Sequence, residues 1–157
     1  MIEGHGSDLY KYGNKIIADF SSNVWPDGTN HLVLEHLKGK LEIIRHYPEP
    51  NAESLTKNIA NFLSLSPNNI LVTNGSAEAF YLTAQLYKKS KSLIVIPSFA
   101  EYEDACIAHE HQVEYALYEN LSKKIDGLNN LVWLGNPNNP NGRIIPKEVI
   151  LKLCNEY

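Results

Sequence analysis

Apolar residues recur along this chain in two different rhythms, and the change from one to the other organises it. Between Leu32 and Ile44, the positions Leu34, Leu37, Leu41 and Ile44 fall at helical spacing. The two prolines of HYPEPN (46–51) forbid that helix from continuing. A second amphipathic helix is predicted from about Ala52 to Leu65, with Leu55, Ile59, Phe62 and Leu63 on one face. Short apolar runs of strand type then take over, at Ile70–Thr73, Leu93–Ile96, Val113–Leu117 and Leu131–Leu134. Helical stretches at 75–89, 101–110 and 146–157 stand between and after them, the last with Pro146 suited to its first turn. Strands alternating with helices predict βαβ units, hence an α/β fold with a mainly parallel sheet and flanking helices. The first thirty residues are irregular apart from an apolar step at Ile16–Phe20, and suit an arm lying on another surface.

Composition narrows the function. A chain of 157 residues fits one domain with a single sizeable core. The net charge is −4, and the basic residues are scattered, with no stripe for a nucleic-acid backbone to follow. No apolar stretch approaches bilayer length, and MIEGHGSDLY lacks a signal-peptide core, so a cytoplasmic protein away from membranes is expected. Cys106 and Cys154 sit in helix-like apolar patterns and are read as two core thiols. His109 and His111 would share a side only if extended, and no metal-ligand spacing surrounds the other histidines. No metal is expected.

In open α/β sheets, ligands bind beyond the carboxyl ends of the strands, where helix N-termini hold anions. Three segments fall at that edge. In LVTNGSAEAFY (71–81) the turn Asn74-Gly75-Ser76-Ala77 leads straight into a helix, so backbone N–H groups and the helix dipole converge. Ser76 adds a hydroxyl, Gly75 permits close approach, and a phosphate is the natural guest. The plainer reading of the same residues is a helix start in which Gly75 caps and Glu78 reaches back as half a capping box. The turn has no Lys and the chain no GxGxxG, which excludes a nucleotide P-loop and a dinucleotide fingerprint. In IPSFAEY (96–102), Pro97 breaks the strand, and Phe99 and Tyr102 either flank a flat ligand or pack the core. In VWLGNPNNPNG (132–142), Asn136, Asn138 and Asn139 are neutral amides that can bond a phenolate or carboxylate, or cap their own backbone in a rigid loop. An anion cradle, an aromatic plate and an amide at one sheet edge together suit a flat, phosphorylated cofactor.

Read in order, DFSSNVWPDG (19–28), HYPEP (46–50), NGSAEAFY (74–81), PSFAEYEDA (97–105) and NPNNPNG (136–142) resemble the fold-type-I pyridoxal-phosphate (PLP) enzymes of the class I/II aminotransferase superfamily. Within that group they are similar to the branch shared by histidinol-phosphate aminotransferases and L-threonine-O-3-phosphate decarboxylases. The match is collinear over nearly the whole chain, with Asn141 where the family's N-P-N-N-P-T-G carries Thr. The resemblance implies PLP as cofactor, an N-terminal arm and helix in 1–45, and the first part of the large PLP-binding domain in 46–157. It implies that Gly75, Ser76 and Ala77 bind the cofactor phosphate, that Phe99 stacks on the pyridine ring, and that Asn139 bonds the phenolic oxygen. Tyr47 would reach the cofactor phosphate of a neighbouring subunit, which implies a homodimer. His5 and Asn23 would lie over the substrate, a small phosphorylated amino acid. The stretches GHGSDLYKYG (4–13) and PSFAEYEDA lean toward the decarboxylase branch, a step in making the aminopropanol arm of cobalamin. Against it, Ser7 and Asp8 replace a G-N pair, and Trp25 stands where Asn is commoner. The aminotransferase branch is the second reading.

The family's chemistry needs three further groups: a Schiff-base lysine, an Asp that pairs with the pyridine nitrogen, and a late Arg that grips the substrate. By resemblance all three fall beyond Tyr157, so no catalytic residue is expected within the chain, which reads as the N-terminal portion of such an enzyme. Lys91 follows Ser90 in a polar turn and is read as a solvated loop lysine. Two other classes stay open: a non-catalytic binding or interaction protein that keeps the half-sheet, and an unrelated phosphate-binding α/β module. A half-sheet ending in a helix is expected to expose a broad apolar edge.

Overall fold

Four consecutive buried residues, Ser92 to Val95, mark the centre of the fold. They belong to β1 (Lys91–Ile96), the middle strand of a three-stranded sheet ordered β2–β1–β3. Both neighbours, β2 (Gln112–Leu117) and β3 (Leu131–Trp133), run parallel to it. The register pairs Leu93 with Glu114 on one side and Val132 on the other. A parallel strand covered on both faces needs a continuous apolar run rather than alternation, and Leu93-Ile94-Val95 supplies it. Ile94 faces a cluster with Ala84, Ala105, Cys106 and Trp133. Leu93 and Val95 face the opposite cluster of Ala116, Leu121 and Ile125.

The computed structural model describes residues 6, 9–12, 15–25, 27–125 and 129–156, and the chain divides into two units, 1–72 and 73–157. The second unit holds the sheet. Its helices are α4 (Gly75–Leu86), α5 (Glu101–Ala108), α6 (Leu121–Lys124) and α7 (Lys147–Glu156). The first turn of α5 carries Glu101, Glu103 and Asp104, charges that favour a helix N-terminus. The Pro146 carbonyl accepts the first bonds of α7, from Val149 and Ile150, so Pro146 precedes the helix rather than lying in its first turn. Cys106 is buried, but Cys154 is exposed and corrects the expectation of two core thiols. On α7 it is Leu153 that packs on the sheet, and the next residue is turned about 100° away. Lys91 also differs from expectation: it is the first residue of β1 and pairs with Glu114 at 3.3 Å across the strands.

The first unit contains α1 (Leu9–Tyr12), α2 (His31–Lys38) and α3 (Glu53–Leu63). The helix expected over 32–44 stops early, because the chain turns at Gly39 and continues as a 3₁₀ turn over Leu41–Arg45. Its anticipated apolar face, Leu34, Leu37, Leu41 and Ile44, is exposed. The start of α3 is held from outside the helix. Ala52 has φ +46° and no capping side chain, and the Glu49 carboxylate accepts the Ser54 N–H at 2.9 Å instead. Bonds from the Ser54 hydroxyl and N–H hold that carboxyl below its ordinary range. Ile70–Thr73, expected as a strand, pairs with no strand among the described residues. Ile70 is extended, at φ −117° and ψ 125°, but a strand exists only where a neighbour accepts its ladder.

Candidate functional site

The carboxyl ends of β1 and β3 bring two of the anticipated segments to one edge, and α4 brings the third. Gly75 opens α4 at φ +78°, a value that an L side chain rarely adopts. The Asn74 side chain makes no capping bond to the helix, so the first N–H groups of α4, those of Ser76 and Ala77, are left uncapped by it. Glu78 does reach back, accepting from the Asn74 N–H and, at 3.2 Å, from the Asn74 amide. The cap is thus Asn74 rather than Gly75, with Glu78 reaching back four residues to it instead of three, and Glu78 leaves the Ser76 and Ala77 N–H groups alone.

Phe99 ties this cradle to the second segment. Its half-buried ring meets Phe80 edge-on at 6.3 Å and Tyr102 at 6.2 Å. Phe80 lies one helical turn beyond Ser76 and Ala77, so a ring on α4 and a ring after β1 touch just behind the cradle. Tyr102 takes the packing alternative rather than a ligand's flank. It stacks on Trp133 with centroids 5.4 Å apart and planes at 26°, and burial pushes its hydroxyl pKa up.

The third segment is fastened to the second by an amide. Asn138 donates to the Pro97 carbonyl at 2.8 Å and to Asn141 Oδ1 at 2.9 Å. A Cβ at Gly135 would fall 2.9 Å from Asn138 Oδ1, so a side chain there would push on the amide that fastens the loop to Pro97. Asn136 accepts the Ile145 N–H at 2.9 Å and donates to the Ile145 carbonyl at 3.2 Å. Asn141 accepts in turn from the Arg143 N–H at 3.1 Å. Among the described residues, Asn139 is the one asparagine of this loop whose side chain makes no hydrogen bond, and it is half-buried. Three asparagines build the loop and the fourth is available.

At the same carboxyl edge, on the side of Val95 and Leu134, lies a cavity of about 150 Å³, lined by Val95, Pro97, Tyr118, Leu134, Asn138 and Arg143 among others. Arg143 stands 3.7 Å from the centre of the Tyr118 ring and bonds Glu119, whose carboxyl it holds below the ordinary range. This cavity is smaller than the roughly 300–1,000 Å³ of a typical ligand site, and its arginine already has a carboxylate partner.

Of the other anticipated residues, Asn23 and Tyr47 lie in the first unit, both exposed, and His5 falls outside the described residues. Among the described residues no three His, Cys, Asp or Glu side chains gather to hold a metal ion, and no helix is long and apolar enough to cross a membrane. Lys91 sits at the amino end of β1, about 16 Å of strand away from the edge. Sequence reading missed Phe80 as the link between segments and Trp133 as the floor beneath Tyr102. Phe80 carried a signal, since it follows Ser76 by four residues. Trp133 gave none beyond its place in an apolar run.

The chain matches the model of the class I and II aminotransferase family over residues 15–157. The crystal structure of L-threonine-O-3-phosphate decarboxylase from Porphyromonas gingivalis superposes with a TM-score of 0.81 at 47% identity, covering 87% of this chain and 44% of that one. The histidinol-phosphate aminotransferase of Clostridium acetobutylicum gives 0.73 at 36% identity, with 87% and 43% covered. A protein of Caldanaerobacter subterraneus subsp. tengcongensis, which carries the provisional name threonine-phosphate decarboxylase, is 37% identical over 93% of this chain and 41% of its own length. The chain thus spans about two fifths of the length of these relatives. By its motifs, its parallel sheet and a family match that runs through all three edge segments, the chain belongs to the PLP-dependent class I and II aminotransferase family.

Proposed function

We propose that residues 46–157 are the first part of a PLP-binding domain, with 1–45 as its arm and helix, in an enzyme of the L-threonine-O-3-phosphate decarboxylase type. The observation that carries this reading is the 47% identity and 0.81 TM-score shared with the Porphyromonas decarboxylase. Histidinol-phosphate transamination is the second reading, supported by the 36% identity to the Clostridium aminotransferase.

The donor set fits the cofactor. A phosphate needs convergent N–H donors, and the helix start at Gly75 offers those of Ser76 and Ala77 with the positive end of the dipole. A flat ring needs an aromatic face at the same edge, which Phe99 supplies. A phenolic oxygen needs a neutral donor not already spent, and Asn139 is that amide. Bound there, PLP supplies an electron sink that lets a bond at the substrate's α-carbon break. The chain's own part is to bind and orient. Gly75, Ser76 and Ala77 fix the phosphate, Phe99 covers the ring and keeps water from it, and Asn139 donates to the phenolic oxygen. Tyr47 of one copy is assigned to the phosphate site of its neighbour, which makes the working form a homodimer. His5 and Asn23 are assigned to the substrate, a small phosphorylated amino acid. The covalent lysine is assigned to sequence beyond Tyr157, and the compartment to the cytoplasm.

Two parallel assays on the full-length protein with added PLP test the reading. Release of carbon dioxide from L-threonine O-3-phosphate is the expected result. Amino transfer from histidinol phosphate to 2-oxoglutarate without decarboxylation would move the assignment to the second reading. No visible PLP band and neither reaction would remove both.

A further inference from the structure

His111 is a polar side chain the proposed chemistry does not use, yet it is only 9% exposed. Its Nε2 lies 2.9 Å from the Ala84 carbonyl and its Nδ1 lies 2.8 Å from the Ser92 hydroxyl. A carbonyl only accepts, so Nε2 carries the proton and donates. Nδ1 is then the acceptor, and the Ser92 hydroxyl donates to it. That hydroxyl in turn accepts from the Trp133 indole N–H at 3.3 Å. The order of donation is fixed from Trp133 through Ser92 and His111 to Ala84.

Each end of this relay has a reason. Lys88 N–H turns to Gln85, so the Ala84 carbonyl is one of the acceptors that a helix end leaves over, and His111 satisfies it. Trp133 is 8% exposed, and a buried indole N–H requires an acceptor. In the middle, Ser92 is fully buried on β1 and can serve both neighbours at once. Four elements are joined: the end of α4, the turn before β2, and strands β1 and β3.

The relay also has a direction toward the site. Trp133 is the ring on which Tyr102 stacks, and Phe80 meets it edge-on at 6.0 Å. Tyr102 and Phe80 are in turn the two rings that Phe99 touches. A rotated Trp133 would move both supports of Phe99 together. We infer that Ser92 and His111 are positioning residues, which fix the plane of Trp133 and through it the ring of Phe99 that the edge presents to a bound cofactor. The cofactor half of this inference rests on the PLP reading above; the Phe99 half does not.

The test uses the full-length protein labelled with fluorophenylalanine, its Phe99 signal identified by loss in Phe99→Leu. Ser92→Ala removes the hub of the relay with little change of volume, Trp133→Phe removes the donor together with part of the indole while keeping a ring, and Val113→Ala is an apolar control in the same cluster. We expect Ser92→Ala and Trp133→Phe to shift the Phe99 fluorine resonance and weaken PLP binding by about tenfold, equivalent to about 1.4 kcal/mol. Val113→Ala is expected to lose thermal stability without either change. If the two polar variants lose stability like the control while the Phe99 resonance and PLP affinity stay put, the network is merely structural and the inference fails. Wild-type protein that binds no PLP, but whose Phe99 signal moves in both variants, would sink the PLP reading and leave the positioning role standing. An unmoved signal in protein that binds no PLP removes both.

Discussion

Asn136 exchanges two hydrogen bonds with the backbone of Ile145, whereas Asn139, three residues on, exchanges none. Their substitutions should therefore separate folding from binding. Asn136→Ala leaves the N–H and C=O of Ile145 without partners in a segment whose side chain is buried, and should cost about 1–3 kcal/mol of stability. Asn139→Ala removes no side-chain hydrogen bond within the fold and should stay within about 0.5 kcal/mol of wild type. In the full-length protein that substitution should instead weaken PLP binding, by roughly the tenfold or more that a lost hydrogen bond to a charged group represents. Urea denaturation and PLP titration of the two variants decide the matter, and equal effects in both experiments would sink the division of labour. The amide-rich loop was visible in the sequence as NPNNPNG, but the roles within it were not. Asn138 is anchored to Pro97, 41 positions away, and no local pattern signals a partner at that distance.

Helix α2 is where local signals misled most, and the reason can be tested. The leucine spacing of 34, 37 and 41 reads as one helix, but Gly39 lowers the cost of leaving it, and the chain turns there into a 3₁₀ segment. The conformation at Gly39, φ −69° and ψ −10°, is open to any residue, and a Cβ would meet only the carbonyls of Glu35 and His36 at 3.5 and 3.6 Å. Gly39→Ala should therefore stabilise the protein by about 0.4–1 kcal/mol, chiefly by restricting the unfolded chain. The expected readout is a melting temperature raised by about 2–4 °C per kcal/mol and a gain in helical circular dichroism. A destabilised variant would mean that the turn itself is required. β1 and α4 were legible because a continuous apolar run and a Gly start are local features. The residues at 70–73 were misread for a different reason: apolar, extended sequence states a willingness to pair, and pairing itself depends on a neighbour.

At the scale of the whole molecule, the two outer edges of the sheet are unlike. β2 carries Gln112 and Glu114, polar residues of the kind that blunt an edge, while β3 is Leu131-Val132-Trp133 with no charge at all. Among the described residues nothing pairs with the outer side of β3, so its free N–H and C=O groups lie beside apolar side chains. Val132 is 39% exposed, and Leu151 and Val149 of α7 are also open to solvent. An uncharged, unpaired edge of that kind recruits another strand if one is offered. A protein of residues 1–157 should therefore associate with itself as its concentration rises, with a weight-average mass above 17.7 kDa in sedimentation and binding of a hydrophobic dye. Val132→Lys puts a charge beside that edge, on the sheet face of its register partner Leu93 but at a position 39% exposed, and should restore the monomer mass while leaving the circular dichroism unchanged. Association that persists undiminished in Val132→Lys would place its cause elsewhere, in the exposed apolar residues of the first unit, and the edge of β3 would lose its claim to be the surface a further strand is meant to cover.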